Sequence, residues 1–154
     1  MPFYRDLAVP DTLEGRFEMI AIHVFLILRR LKGEDAACKK VSQKLFDIMF
    51  QNMDDSLREL GVGDLVVGKK IRKLAENFFG RVGAYEEAMR KDAAENNLQA
   101  LAKALGRNVY EDEAAPHAGD LATYVLSAVA CIEKQPPARI AGGIIRFPDV
   151  GAQS

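Results

Sequence analysis

Apolar residues recur every three or four positions through most of this chain, and that spacing predicts helices nearly throughout. After a leading segment, residues 1–10, closed by Pro10, either Asp11 or Thr12 can cap a helix, and Glu14 suits its positive N-terminal end. This helix runs to about Leu31. Phe17, Ile20, Val24, Ile27, Leu28 and Leu31 keep helical spacing, while Ile22, Phe25 and Leu26 fill the other side. A helix apolar nearly all round belongs in the middle of a bundle. Gly33 ends it.

A second helix is expected from Ala36 to Asn52, with Val41, Leu45, Ile48 and Met49 on one face and Phe46, Phe50 and Met53 beside them. Asp54 or Asp55 then caps a short turn carrying Leu57 and Leu60, and Gly61 stops it in the usual C-terminal glycine position. Asp64 caps a long helix whose stripe is Val67, Ile71, Leu74, Phe78, Val82, Tyr85 and Met89. Gly80 and Gly83 within it predict a close helix–helix approach or a bend. A fourth helix spans Asp92 to Leu105 and stops at Gly106; an acidic loop with Glu111, Asp112 and Glu113 leads to a last helix over 121–134. The remainder is rich in Pro and Gly and is expected to lack regular structure, although Ile144, Ile145 and Phe147 can dock on the bundle. No useful alternating strand pattern appears. The prediction is all-α: one compact bundle of about five to six helices over 1–135, with an irregular Pro/Gly-rich tail over 136–154.

Composition adds limits. A length of 154 residues fits one domain, since domains most often hold about 100–150. Cys38 and Cys131 lie far apart, with neither a second thiol nor a histidine at ligand spacing, which argues against a disulfide framework or a zinc site and suits a reducing cytosol. Both are expected as small core residues. The net charge of −1 is unlike that of a dedicated nucleic-acid binder. The apolar run at 19–28 is too short for a bilayer, which needs about 20 residues. It also follows acidic residues where a signal peptide would be basic. The expectation is a cytoplasmic protein, reaching at most the cytoplasmic membrane face.

"GVGDLVVGKK" places Gly63, Gly68 and Lys69 as a phosphate-binding loop requires. Yet the position for the magnesium-binding hydroxyl is Lys70, the interior holds bulky Leu65, Val66 and Val67, and Val67 and Ile71 belong to the helical stripe. We therefore read it as a helix start, with no cofactor implied. His23 sits in the apolar run and reads as a satisfied core histidine; His117 lies in the acidic loop, and no catalytic constellation or calcium-loop spacing can be assembled.

Two features exceed this background. "KKIRK" puts Lys69, Lys70, Arg72 and Lys73 at the positive start of a helix, which reads either as a plain solvated face or as charge compensated by Asp64, Glu76 or an anionic partner such as RNA, lipid headgroups or an acidic protein surface. The Phe/Met-rich run with Phe46, Met49, Phe50 and Met53 suits either core packing or an adaptable apolar binding surface.

The run Asn52 to Met89, with D-x-x-L-R-E-L-G-V-G-D, V-G-K-K and F-G-R-x-x-A-Y, closely resembles the signature of the ubiquinol–cytochrome c chaperone family, and Glu14 to Leu31 resembles its first core helix. The compact length without a transit peptide is similar to the bacterial members. The matching positions are Asp55, Leu57, Arg58, Glu59, Gly61, Gly63, Asp64, Gly68, Lys69, Lys70, Gly80, Arg81 and Tyr85. The resemblance implies a non-enzymatic assembly factor for the cytochrome bc1 complex that binds newly made cytochrome b. On that reading a groove near Phe46, Met49, Phe50 and Met53 shields an apolar client segment, while Lys69, Lys70, Arg72 and Lys73, with Arg58 and Arg81, hold ribosomal RNA or the cytoplasmic leaflet. The competing reading is a helical nucleic-acid- or ribosome-binding module acting through residues 69–73.

Overall fold

The structure, a computed structural model, describes residues 2–150. Its helices are α1 (Pro2–Asp6), α2 (Leu13–Leu31), α3 (Ala36–Glu59), α4 (Asp64–Glu95), α5 (Gln99–Leu105), α6 (Ala118–Glu133) and α7 (Pro137–Ala141), with a π-helical turn at Gly106–Tyr110 after α5. This is the expected all-α bundle.

α2 lies at its centre, against α3, α6, α7 and the π turn. Thr12 caps it by accepting the Gly15 N–H at 3.0 Å, and Gly33, at φ +81°, turns the chain away after its end. Phe17, Ile22, Val24, Phe25 and Leu26 are all buried around its circumference.

Two apolar clusters meet along α2. The larger joins Ile22, Phe25 and Leu26 to the second half of α4, α5, α6 and the segment Leu7–Val9. The smaller is built from Phe17, Ala21 and Val24 of α2, Met49 and Met53 of α3, and Phe78 of α4. α3 and α4 thus form a long antiparallel hairpin. With 24 and 32 residues, they measure about 36 and 48 Å at 1.5 Å per residue.

The helices run further than their pattern suggests. α3 does not break after Asn52, because Asp54 accepts from Arg58 at 2.6 Å and Asp55 accepts from Gln51 at 3.0 Å. These i,i+4 pairs support helix where isolated aspartates would favour a cap. α3 then ends as expected at Gly61, whose φ of +84° allows its N–H to reach Arg58 O while Val62 N–H reaches Leu57 O.

α4 continues past Asp92 to a left-handed Asn96. Asp92 does cap a helix, but from inside α4: its carboxylate accepts the N–H groups of Ala100 and Leu101, both at 2.8 Å, at the start of α5. The residue is 3% exposed. Asp92→Ala should therefore lower stability by about 2–3 kcal/mol, the sum of a lost cap and a buried unsatisfied donor. Asp92→Asn, which keeps an acceptor oxygen, should recover part of this in a urea titration.

Gly106 does not end α5 but lets it continue into the π turn. A Cβ there would stand 2.5 Å from Asp112 O, so glycine permits a close backbone crossing. Gly80 and Gly83 show the opposite: a Cβ at either meets nothing within 4 Å, so the close helix approach expected there is absent among the described residues.

The first and last described segments pack inward. α1 is a single turn too short to leave a periodic pattern, and its Phe3 and Tyr4 lie against the larger core. Through Val150 the tail is irregular apart from α7, which buries Ile140; Ile145 and Phe147 dock on the core, while Ile144 stays 54% exposed. Cys38 is buried and Cys131 half-buried, and both are free thiols.

Candidate functional site

The smaller core opens onto a cleft between α2, α3 and α4. It encloses about 1080 Å³, with Phe25 and Phe78 as floor, Leu28, Phe79 and Val82 as walls, and Arg29, Lys32, Lys39 and Arg90 at the rim. A shallower apolar depression of about 610 Å³ shares Leu28, Lys39 and Phe79 with it and adds Phe46 and Lys40. The two together form one apolar strip along the hairpin's base.

Its aromatic rings form one cluster of tilted and edge-on contacts. Phe46 lies 4.7 Å from Phe50, 5.8 Å from Phe78 and 5.6 Å from Phe79, between ring centroids. Phe78 is 1% exposed, but Phe79 is 61% exposed. The two are adjacent on α4, so a helical step of 100° takes the ring of Phe79 off the buried stripe. An exposed aromatic supported by buried aromatics is the arrangement an apolar ligand can complete.

The rim is polarised. Arg29 is neutralised by Glu86 at 2.9 Å and Glu133 at 3.4 Å, and Arg90 by Glu87 at 2.7 Å. Lys32, Lys39 and Lys40 are exposed and pair with no carboxylate among the described residues. The cleft therefore combines apolar walls with exposed lysines at the α2–α3 turn, where Glu34 also lines it and pairs with Arg30.

The structure divides the residues expected at a client surface. Phe46 and Phe50 are half-buried beside the cleft. Met49 and Met53 are instead 3% and 4% exposed and belong to the core beneath it, because their helical positions face Phe17 and Phe78. Leu57 and Tyr85 are likewise buried rather than available. Leu28 and Phe79, which line the cleft, went unrecognised; for Phe79 the available signal was an aromatic one step off the amphipathic stripe.

Much of the signature segment closes the hairpin. Arg58 bridges Asp54 of α3 and Asp64, the first residue of α4. Both aspartates lower the tendency of Arg58 to release its proton, chiefly through hydrogen bonds to it. Asp55 and Glu59 stand exposed on α3. Arg81 reaches from α4 to Glu18 of α2, with Nε donating at 2.7 Å and a second nitrogen at 2.5 Å. Burial pushes the Glu18 carboxyl above its ordinary range, and Arg81 draws it part of the way back. Tyr85 packs against Phe25 with ring centroids 5.9 Å apart, and its hydroxyl accepts from Asn108 at 3.3 Å. Burial raises the Tyr85 phenol well above its usual value.

Lys69, Lys70, Arg72 and Lys73 are all exposed on the first turns of α4. The phosphate-loop spelling is helix from Asp64 onward, with Gly63 as N-cap and Val67 fully buried. His23 has both ring nitrogens engaged: Nδ1–H donates to Met19 O at 2.7 Å, and Nε2 accepts from the Tyr124 hydroxyl at 2.8 Å. Burial lowers its pKa. Among the described residues no helix is long and apolar enough to cross a membrane.

Comparison with known proteins bears on this arrangement. The sequence model described as ubiquinol–cytochrome C chaperone matches residues 5–147. The crystal structure of the Cbp3 homologue from Brucella abortus superposes with a TM-score of 0.86 at 44% identity, covering 99% of this chain and 83% of that one. Ubiquinol–cytochrome c reductase complex assembly factor 1 is 26% identical over 107 residues in Xenopus laevis and 24% over 111 in Mus musculus. These matches cover 70% and 72% of this chain but 51% and 36% of the two relatives, so it spans about half their length or less. The chain belongs to the ubiquinol–cytochrome c chaperone family.

Proposed function

We propose that this protein is a non-enzymatic chaperone that holds newly made cytochrome b during assembly of the cytochrome bc1 complex. Family membership and the assembly-factor names of its relatives support the role. The observation that carries the client-binding mechanism is the exposed ring of Phe79 beside Phe46 and Leu28 in the cleft. An apolar client segment laid there covers Phe79, and burying such a ring contributes about 1–2 kcal/mol. Neighbouring positions at helical spacing multiply that gain, as in helix-in-groove recognition. Lys32, Lys39 and Lys40 at the rim suit the negative C-terminal end of a client helix or an acidic flank. Binding of this kind is reversible and leaves the client chemically unchanged. It acts from the cytoplasmic side, where the chain is made.

The test is deletion in the native organism, read by reduced-minus-oxidised haem b spectra and quinol–cytochrome c reductase activity of its membranes. Both should fall, and the wild-type gene should restore them. Normal haem b and normal activity after deletion would remove the assembly role. The second reading, a ribosome- or nucleic-acid-binding module, is favoured by the four exposed cations at 69–73 and predicts a steep loss of RNA binding with salt.

A further inference from the structure

The α3–α4 hairpin ends beyond both apolar clusters, and its tip exposes large apolar residues in a way nothing inside the chain requires. Leu60 is 68% exposed, Leu65 86% and Val66 48%, and they flank the tight turn at Gly61–Gly63. On α4, Leu65 and Val66 share the outward side with Lys69, Arg72 and Lys73, opposite the buried Val67 and half-buried Ile71 and Leu74. Lys70 stands next to this face.

Those cations are open to an external anionic surface. Asp64 is committed to Arg58. None of Lys69, Lys70, Arg72 and Lys73 pairs with Glu76 or any other carboxylate among the described residues. They occupy the second and third turns of α4, beyond the first turn that holds Asp64. The acidic residues Asp55 and Glu59 lie on the outward side of α3, across that helix from Met53 and Leu57, so near the tip the cations stand on α4 and these carboxylates on α3.

We propose that the hairpin tip docks on an anionic lipid surface, with Leu60, Leu65 and Val66 entering the headgroup–acyl boundary and the α4 cations lying on the headgroups. Apolar side chains and cations on one exposed face are the combination that interfacial anchoring uses. A nucleic-acid backbone would satisfy the cations but gives three exposed aliphatic side chains nothing to enter, which favours lipid over RNA. The cleft lies at the hairpin's base, so a chain docked by its tip keeps the cleft free. The proposal does not depend on the identity of the client.

The experiment is co-sedimentation of the full chain with vesicles of phosphatidylcholine alone and with added phosphatidylglycerol, beside filter binding to ribosomal RNA. Anionic vesicles should bind the wild-type chain and neutral ones should not. Each lysine reversed among Lys69, Lys70 and Lys73 should weaken binding about fivefold or more. Leu60→Ser with Leu65→Ser, both exposed and so harmless to the fold, should weaken it by a further tenfold or so while leaving thermal unfolding unchanged. Absence of vesicle binding would overturn the proposal. So would binding lost by charge reversal but untouched by the serine pair, or RNA binding tighter than lipid binding at the same salt. Because no client is present, these outcomes are separate from those of the deletion test.

Discussion

Phe79→Asp is expected to leave the fold intact and to weaken client binding by one to two orders of magnitude. The ring is 61% exposed, so its removal opens no cavity, and its stability cost should stay within about 0.5 kcal/mol. In the complex the same position would lie under the client, where a buried aromatic anchor is worth about 2 kcal/mol or more and an unpaired carboxylate costs further. Cells carrying Phe79→Asp should therefore contain the folded protein at normal levels but reduced haem b and reductase activity. Phe79→Leu should behave nearly as wild type, because area rather than aromaticity is needed. Full activity with Phe79→Asp would mean the cleft is not the client site.

Arg81→Met is expected to produce the largest loss of stability, about 3 kcal/mol, because it strands a buried carboxylate. Glu18 has a side chain 6% exposed against 20% for Arg81, so the acid bears most of the desolvation. The pH dependence follows from its raised pKa. The folded chain holds the Glu18 proton more tightly than the unfolded chain, whose value is near the ordinary 4.5. That stabilising contribution is complete below the ordinary value and is lost as pH rises through the raised one. Without Arg81 the Glu18 value climbs further, so the variant's deficit should be greatest near neutral pH and shrink on acidification. At about 2–4 °C per kcal/mol for a chain of this size, Tm should fall by roughly 6–12 °C at neutral pH. The double variant Glu18→Gln with Arg81→Met should recover most of this. A deficit independent of pH, or no recovery in the double variant, would show that the pair is not what Arg81 contributes.

The sequence made the bundle legible because its helices are long and amphipathic, and the all-round apolar α2 declared its central place. What escaped were features set by a partner distant in sequence. Asp92 looks like a local N-cap, and only the fold shows its carboxylate serving amides eight and nine residues later. Asp54 and Asp55 look like a helix break, but Gln51 and Arg58 hold them within α3. The same limit applies to the site. Phe46, Met49, Phe50 and Met53 form one apolar group in sequence, but α3 turns the methionines into the core and leaves the rings at the cleft. The recognisable signature is rich in residues that close the hairpin, such as Arg58 and Gly61, or tie it to α2, such as Arg81 and Tyr85, whereas Phe79 and Leu28 are distinguished mainly by exposure and position. A family signature and a binding surface are thus read from different residues.

The proposed function requires that the α2–α3–α4 cleft hold cytochrome b. Its most direct test places a photo-crosslinking amino acid at position 79 and, as a control on another surface, at exposed Arg107, in cells making cytochrome b. The account predicts an adduct with cytochrome b from position 79 and none from position 107. Equal adducts from both positions, or none from position 79 while the protein still supports reductase assembly, would contradict it.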